Sequence, residues 1–364
     1  MAKGSGMLAV YVVLIGQLSS IEVAAQPSFN RTEGVVELGT CQGLKSKVEL
    51  GLDIDIILNS DIVCTETISL SSNQDVRISS AANQEYLIAV AEDFAVPDPT
   101  SSSLLFVPAG AFLGLEKLRF TNEAGVQGSP GTVRAVWNLG TLDVYGCTFE
   151  SLNYAAVQDG GVIYNSGDAG FVTVGNSTFR GNVGKDRGGA IAASGQGSVG
   201  LTNCTFYGNE AFGASPDRRA GSGGAVYASP GMIVSVLNST FDGCLGRYGG
   251  AALFLCGGSV IDSTFLGNEA EGLFGAVVNG DLSDETRVNA SIALGTPDGQ
   301  NYTCPPLSVA GSVFEENIAG NGYGGAVASV DASLSVFNST MVESTGGAIY
   351  FGTSDDSGRD ILDV

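Results

Sequence analysis

A phenylalanine recurs along the chain and defines a repeat of roughly 25 residues, a length typical of solenoid proteins. The anchor positions are Phe149, Phe179, Phe206, Phe241, Phe265 and Phe314, with Met341 in the same place. Their spacings are 30, 27, 35, 24, 49 and 27 residues, so insertions are tolerated between units. One such unit cannot bury its apolar face alone, but stacked neighbours can.

The residues before each anchor alternate with a period of two. Five positions upstream every residue is aliphatic, from Val144 to Val336, and seven positions upstream six of seven are aliphatic. This alternation indicates a strand with one buried face. The position between the two aliphatic ones is occupied by Asp143, Thr173, Gly200, Ser235, Ser259, Ser308 and Ser335.

A pair of glycines followed by alanine opens the second part of the unit. Paired glycines permit positive φ and close approach of the backbone at a tight corner. The distance from this pair to the next Thr-Phe is nearly constant, whereas the distance from Phe to the pair varies. The variable loop therefore lies between Phe and the glycines. The pairs are Gly188-Gly189, Gly223-Gly224, Gly249-Gly250, Gly324-Gly325 and Gly346-Gly347.

These features predict an all-β chain that folds as a single-stranded right-handed parallel β-helix of about ten or eleven coils. Weaker early coils are expected at 48–58, 67–80 and 112–125. A β-sandwich is the alternative all-β fold, but it does not explain a fixed motif at each Phe.

The N-terminus has the features of a secretory signal peptide, with a buried strand as the alternative interpretation. Lys3 is followed by the apolar run Met7–Ile15, which is too short to span a bilayer, and small residues favour cleavage after Ala25. No membrane-spanning segment is expected after signal removal. The predicted organisation is a signal peptide (1–25), an N-terminal cap (26–47), repeats (48–351) with an insertion at about 278–306, and a tail (352–364).

The open end of such a stack exposes strand edges. The sequence leaves three alternatives there: the tail folds over it, the protein associates end to end, or further chain follows.

The chain has a formal net charge of −22 and no histidine. The acidity argues against nucleic acid as a partner. The absence of histidine excludes Ser-His-Asp and Cys-His catalysis and histidine metal sites. Divalent cations such as Ca²⁺ are compatible with the acidity, but the sequence indicates no site for a metal or other cofactor.

Seven cysteines in a secreted chain leave one without a partner. Cys41 and Cys64 are predicted to form a disulfide because no other cysteine precedes residue 147. Cys147 and Cys204 would lie two coils, about 10 Å, apart, which is too far for a disulfide. They are interpreted as small buried thiols.

Asn-x-Ser/Thr sequons occur at seven positions. Asn176, Asn203, Asn238 and Asn338 share one repeat position, where turn-forming asparagines are expected to form a hydrogen-bonded ladder. Asn289 and Asn301 in the insertion, together with Asn30, are the better candidates for glycosylation.

Five basic residues occur in the variable loops of three successive coils: Lys185, Arg187, Arg218, Arg219 and Arg247. Stacking could align them as a stripe that binds sulfate or carboxylate groups of an anionic polysaccharide. The alternative is solvated loop charge, paired locally with Asp186 and Asp217.

Phe-x-x-Asn together with Gly-Gly-Ala resembles the repeat of the polymorphic outer membrane proteins of chlamydiae. The matching pairs are Phe179 with Asn182, Phe206 with Asn209, Phe265 with Asn268 and Phe314 with Asn317. The resemblance covers about 147–351 and also extends to secreted pectin-lyase-like chains. It implies a surface or secreted β-helix with an adhesive role.

The predicted function is therefore non-catalytic binding at the cell surface or outside the cell, to an extracellular glycan or a surface protein. A polysaccharide lyase or glycoside hydrolase is the first alternative, and a structural wall or matrix component the second. Asp143 is the only carboxylate in the aligned outward positions, and hydrolysis of a glycoside requires two.

Overall fold

The computed structural model describes residues 37–81, 84–91, 94, 103–122, 133–154, 160–213, 221–272, 274–280, 304–320, 324–330, 332–352 and 360–362. Across these residues the protein is almost entirely β-structure in three sheets of 20, 10 and 6 strands. Neighbouring strands pair in parallel with one exception near the C-terminus. This arrangement confirms the parallel β-helix.

The first sheet forms two consecutive sides of most coils, with a bend between them. Its strands are Glu37–Leu38, Ile54–Leu58, Ile68–Ser69, Asp75–Ser80, Ser103–Val107, Phe112–Glu116, Arg134–Asn138, Thr141–Tyr145, Ile163–Gly175, Ile191–Thr202, Val226–Ala228, Met232–Leu237, Leu253–Leu255, Gly258–Ile261, Val277–Gly280, Leu307–Ala310, Val327–Val330, Leu334–Phe337, Ile349–Gly352 and Asp360–Leu362.

The second sheet contains the recurring phenylalanines, and the third consists of two-residue strands after the next corner. The second-sheet strands are Ile62–Cys64, Tyr86–Val90, Leu118–Asn122, Thr148–Glu150, Thr178–Arg180, Thr205–Tyr207, Thr240–Asp242, Thr264–Leu266, Val313–Glu315 and Thr340–Val342. The third-sheet strands are Asn153–Tyr154, Val183–Gly184, Glu210–Ala211, Leu245–Gly246, Glu269–Ala270 and Ile318–Ala319.

The repeat positions predicted from the sequence coincide in register. Phe179 pairs with Phe149 on one side and Phe206 on the other, and the same register continues to Phe314. The rings form one continuous stack from Phe120 to Phe314, with centroids 4.6–4.9 Å apart. This spacing equals the strand separation of about 4.8 Å, so ring stacking and backbone pairing reinforce each other.

The two glycines of the Gly188-Gly189 corner have different roles. Gly188 has a φ of 65°, in the left-handed region that disfavours a side chain. A Cβ atom on Gly189 would lie 2.2 Å from the carbonyl oxygen of Gly224 in the next coil. The first glycine therefore makes the turn and the second permits the close approach of neighbouring coils.

The asparagine of Phe-x-x-Asn forms a buried ladder inside the stack. Asn182 donates from Nδ2 to Oδ1 of Asn209 at 2.9 Å, and Asn268 donates to Asn317 at 3.0 Å. Each of these side chains is fully buried. Cys244 takes the asparagine position between Asn209 and Asn268 and interrupts the ladder.

The N-terminal part of the described chain differs from the sequence expectation. Residues 48–58 were expected to be one alternating strand, but Val48 ends a helix, α1 (Cys41–Val48), and the strand begins at Ile54. Thr40 caps α1 by accepting a hydrogen bond from the Gly43 amide. Leu44 and Val48 of α1 are fully buried in the main core.

Cys41 and Cys64, the predicted pair, form a disulfide between α1 and the first strand of the second sheet, with Cα atoms 5.0 Å apart. A second disulfide, which the sequence left open, joins Cys256 and Cys304. Cys256 precedes the predicted insertion, and Cys304 lies close to its C-terminal end. The insertion begins later than expected, because residues 278–280 belong to the strand Val277–Gly280. Residues 281–303 lie outside the described residues.

The tail contributes one strand. Asp360–Leu362 pairs antiparallel with Ile349–Gly352, with Tyr350 opposite Ile361. The tail thus pairs with this edge of the first sheet, as the first of the three alternatives for the end of the stack predicted. Among the described residues there is no helix long and apolar enough to cross a membrane. The predicted signal peptide lies outside them.

Candidate binding surfaces

Two of the predicted basic residues, Lys185 and Arg247, directly follow short strands of the third sheet. These strands pair in register, so the residues that follow them occupy one row: Lys185, Phe212, Arg247 and Glu271. Phe212 therefore separates the two basic residues of this row. Arg218 and Arg219 lie outside the described residues. Phe212 was not considered in the sequence interpretation, although its spacing from the anchor Phe206 would have revealed it.

Arg247 contacts its neighbours in the row on both sides. Its guanidinium lies 5.8 Å from the ring centre of Phe212, and its Nε lies 3.6 Å from a carboxylate oxygen of Glu271. Both charged side chains are more than half exposed, at 56% and 57%. An exposed pair of this kind contributes little to stability and leaves Arg247 accessible to solvent anions.

Arg187 belongs to a different row. It aligns with Ser222 and Gly249 in the two following coils. Its guanidinium stacks over the ring of Tyr227 at 5.0 Å and donates from Nη1 to the Tyr227 hydroxyl at 3.3 Å. The described basic residues therefore do not form one continuous stripe.

Carboxylates in the outward column of the first sheet are widely separated. Strand pairing extends this column upstream of Asp143 through Gly114, Arg77 and Asp55. Arg77 and Asp55 are charged, and the alignment of the repeats did not include them. Asp55 and Asp143 are three coils, about 14 Å, apart. The carboxyl groups of glycosidases are separated by about 5–9.5 Å, so this pair does not have the spacing for glycoside hydrolysis.

Two further aspartates face outward on the first coils. Asp53 and Asp75 lie in adjacent coils, but Asp53 accepts a hydrogen bond from the Asp75 amide at 2.8 Å. The Asp53 side chain thereby links the backbones of two adjacent coils.

Burial raises the pKa of Asp143, and the positive charge of Arg77 partly offsets this effect. No cluster of three metal-ligating side chains occurs within the described ranges.

A continuous uncharged surface covers the side of the first sheet that is stacked in register on the Asp143 strand, and we call it the neutral face. It consists of the outward residues of six successive strand segments. The strands of these segments pair in register, so the residues form straight columns. The members are Phe171, Thr173, Gly175, Ser198, Gly200, Thr202, Ile233, Ser235, Leu237, Ser259, Ile261, Ser308, Ala310, Ser335 and Phe337.

The neutral face combines a hydroxyl column with apolar flanks. Its central column is Thr173, Gly200, Ser235, Ser259, Ser308 and Ser335, and the Oγ atoms of Ser235 and Ser259 are 3.1 Å apart. Large apolar side chains beside it are well exposed: Ile233 to 53%, Leu237 to 41% and Phe337 to 72%. In the sequence, these residues were noted only as outward positions that lack carboxylates.

Comparison with known proteins supports the repeat assignment. Residues 203–229 match the family model of the Chlamydia polymorphic membrane protein repeat. The resemblance inferred from the sequence is thereby confirmed over this segment. It contains Phe206, Asn209 and the corner Gly223-Gly224, which are the scaffold positions described above. A search of the curated proteins gives no significant match to the chain.

The sequons that share one repeat position lie on an exposed corner. Asn176, Asn203, Asn238 and Asn338 all have positive φ and exposed side chains. Asn238 donates to Asn203 at 2.7 Å, one step of the expected ladder. The glycosylation candidates Asn30, Asn289 and Asn301 lie outside the described residues.

Three cysteines are free thiols buried in the core: Cys147, Cys204 and Cys244. Burial raises the pKa of Cys147 and of Cys244 to about 12. Their thiolates are therefore scarcely populated near neutral pH, and these residues fill space in the core.

Proposed function

We propose that this protein is a non-catalytic binding protein at the cell surface or outside the cell, in which the β-helix presents an extended contact surface. The neutral face is the observation that carries this proposal. A protein with a formal net charge of −22 that keeps six successive strand segments free of charge has a surface suited to contact. The matching repeat is that of a membrane protein family, which agrees with a surface location.

The column of the first sheet also supports a non-catalytic role. Its carboxylates Asp55 and Asp143 are too far apart to act together on one glycosidic bond. A polysaccharide lyase or hydrolase is the alternative tested below, and a structural wall or matrix component is the second.

The experiment uses the purified chain from Gln26, which begins after the predicted signal peptide. It is incubated with eukaryotic cells, with extracellular matrix, and with a panel of neutral and acidic polysaccharides, each with and without Ca²⁺. Bound protein and polysaccharide chain length are both recorded. We expect binding to at least one surface without shortening of any polysaccharide.

Two results would overturn the proposal. Shortening of any polysaccharide would establish an enzyme, and a lack of binding to every surface would favour the structural role.

Binding of an anionic polysaccharide at the basic loops is tested separately. If that site operates, heparin binding should weaken with added salt and with Lys185→Ala plus Arg247→Ala or Arg218→Ala plus Arg219→Ala.

A further inference from the structure

We propose that the neutral face binds a linear, uncharged polysaccharide that lies along the axis of the β-helix. This inference rests on the binding function proposed above and names its ligand class. Four properties of the face support it: its charge, its chemistry, its periodicity and its size.

The charge of the face selects against acidic ligands. The chain contains 38 acidic and 16 basic residues, so its general field repels sulfated or carboxylated polymers. The neutral face contains no basic residue that would offset this repulsion. A neutral ligand does not experience this repulsion, and it can approach the face without desolvating a charge.

The chemistry of the face matches that of a sugar ring, which has apolar C–H surfaces and hydroxyl edges. The central column offers hydroxyls, each of which can donate one hydrogen bond and accept others. The flanking side chains of Ile233, Leu237 and Phe337 offer exposed apolar area. Ser235 and Ser259 are close enough to bond to each other in the free protein, so their hydroxyls are aligned before a ligand arrives.

The periodicity of the face favours a polymer. Equivalent hydroxyls recur once per coil at about 4.8 Å along one line, because strand pairing fixes the register. Ser235, Ser259, Ser308 and Ser335 follow one another without interruption. A chain of sugar units offers hydroxyls repeatedly along a line, whereas a single small molecule would use only one or two of these positions.

The size of the face argues against a stable protein partner. Five coil intervals give a length of about 24 Å, and five residues across the strand give a width of about 13 Å. The flat area is therefore about 310 Å², well below the roughly 800 Å² that each partner buries in a typical stable complex. A second copy of this chain would be held weakly by this face, whereas a narrow extended ligand fits its shape.

The test compares the wild-type chain with two neutral-face variants and one control by isothermal titration calorimetry. Ser235→Asp places a charge in the centre of the column, and the double variant Ile233→Ala, Leu237→Ala removes apolar area. Thr205→Asp is the control, because Thr205 is exposed and faces outward from the second sheet. The probes are barley β-glucan, xyloglucan and dextran as neutral polymers, and polygalacturonate and heparin as acidic ones. Circular dichroism and melting curves establish that each variant is folded.

We expect at least one neutral polymer to bind the wild type and the control equally, with little dependence on salt. Both neutral-face variants should bind it at least tenfold more weakly. The inference is overturned if only acidic polymers bind, or if neutral binding is the same in Ser235→Asp. It is also overturned if sedimentation shows a wild-type dimer that Ser235→Asp dissociates, because the face would then be covered by a second copy.

The inference and the proposed function fail in different ways. Binding to cells or matrix without binding to any neutral polymer would leave the proposed function standing and remove this ligand class. A lack of binding to every surface and every polymer would remove both.

Discussion

Asn182 and Asn209 lie in adjacent coils, and Nδ2 of the first donates to Oδ1 of the second at 2.9 Å. Oδ1 of Asn209 also accepts from the backbone amide of Asn182, and its own Nδ2 donates to the carbonyl of Phe179. Both side chains are fully buried. The Asn209 side chain thus satisfies three polar groups of the preceding coil at a position that water does not reach.

Asn209→Ala should lower the free energy of unfolding by about 3 kcal/mol, because it leaves buried donors and an acceptor without partners. Chemical denaturation followed by circular dichroism would measure this loss. Thr202→Ala, an exposed position on the first sheet, is the matched control and should change little. Equal effects of the two substitutions would show that the ladder does not stabilise the stack.

Cys244→Asn should raise the free energy of unfolding by about 1 kcal/mol. Cys244 interrupts the ladder, and the Oδ1 atom of Asn268 already accepts from the Cys244 amide at 3.0 Å. An asparagine here could also donate to the Phe206 carbonyl, which Cys244 Sγ contacts at 3.8 Å.

Cys204→Asn is the contrasting variant. Cys204 lies between Ser177 and Ser239 in a row of small residues. The hydroxyl groups of these two serines accept hydrogen bonds from backbone amides of neighbouring coils. A larger side chain would overpack this row, and we expect a loss of about 1–3 kcal/mol in the same denaturation assay. Stabilisation by both substitutions would contradict the assignment of the two rows.

Phe206→Ala should lower the free energy of unfolding by about 4 kcal/mol. The ring is fully buried and stacks on Phe179 at 4.8 Å and on Phe241 at 4.7 Å. Its removal leaves a cavity in the centre of the stack. Phe337→Ala, at a residue 72% exposed, should cost less than about 0.5 kcal/mol and serves as the control.

Glu150→Gln should destabilise the protein at neutral pH and lose this effect in acid. The Glu150 side chain is 8% exposed and lies between the guanidinium groups of Arg119 and Arg180. Burial opposes its ionisation, but the hydrogen bonds from the two arginines outweigh burial and lower the pKa of Glu150 below its ordinary value of 4.5.

A carboxyl group whose pKa is lower in the folded state stabilises fully above its unfolded value, and it loses this contribution as the pH falls through the folded value. The difference between wild type and Glu150→Gln should therefore be constant near pH 7 and shrink below pH 4.5. Denaturation at several pH values would measure it. Glu315→Gln, at an exposed position on the same sheet, is the control; a difference independent of pH would refute the role of Glu150.

The native protein should resist thiol alkylation at pH 8. The pKa of Cys147 and of Cys244 is raised to about 12 by burial, and Cys204 is also buried. Mass spectrometry should find no label on the native chain, three labels after denaturation without reductant, and seven after reduction. Labelling of the native chain would show that the core opens or that the disulfide pairing differs.

Local patterns in the sequence were sufficient to predict the scaffold. The recurring Phe, the alternation before it and the paired glycines each describe contacts between equivalent residues of neighbouring coils. Such contacts recur once in every sequence repeat. The pairing of Phe179 with Phe206 therefore follows from aligning the repeats. The start of the first strand was missed because Leu50 and Leu52 extend the alternation upstream, although they are exposed in the segment between α1 and the strand.

The candidate surfaces were predictable only in part. The column from Thr173 to Ser335 was visible once the anchors were aligned, but its exposure and its apolar neighbours became apparent with the sheet. The basic loops were visible in the sequence, and the equal spacing of Lys185, Phe212 and Arg247 from their anchors already implied that they share one row. The contacts within the row were not predictable. Arg247 meets both Phe212 and Glu271 only in the assembled stack.

The sequence by itself determined the coil, because each repeat encodes the same strands, the same corners and the same buried ring, and stacking is the way such units bury their apolar faces. The tertiary structure decided which residues outside the repeat meet. It joined Cys256 to Cys304 across 48 residues and brought Arg119 and Arg180 to Glu150. These contacts depend on the length of each coil and on its register with the next, and both are properties of the assembled stack.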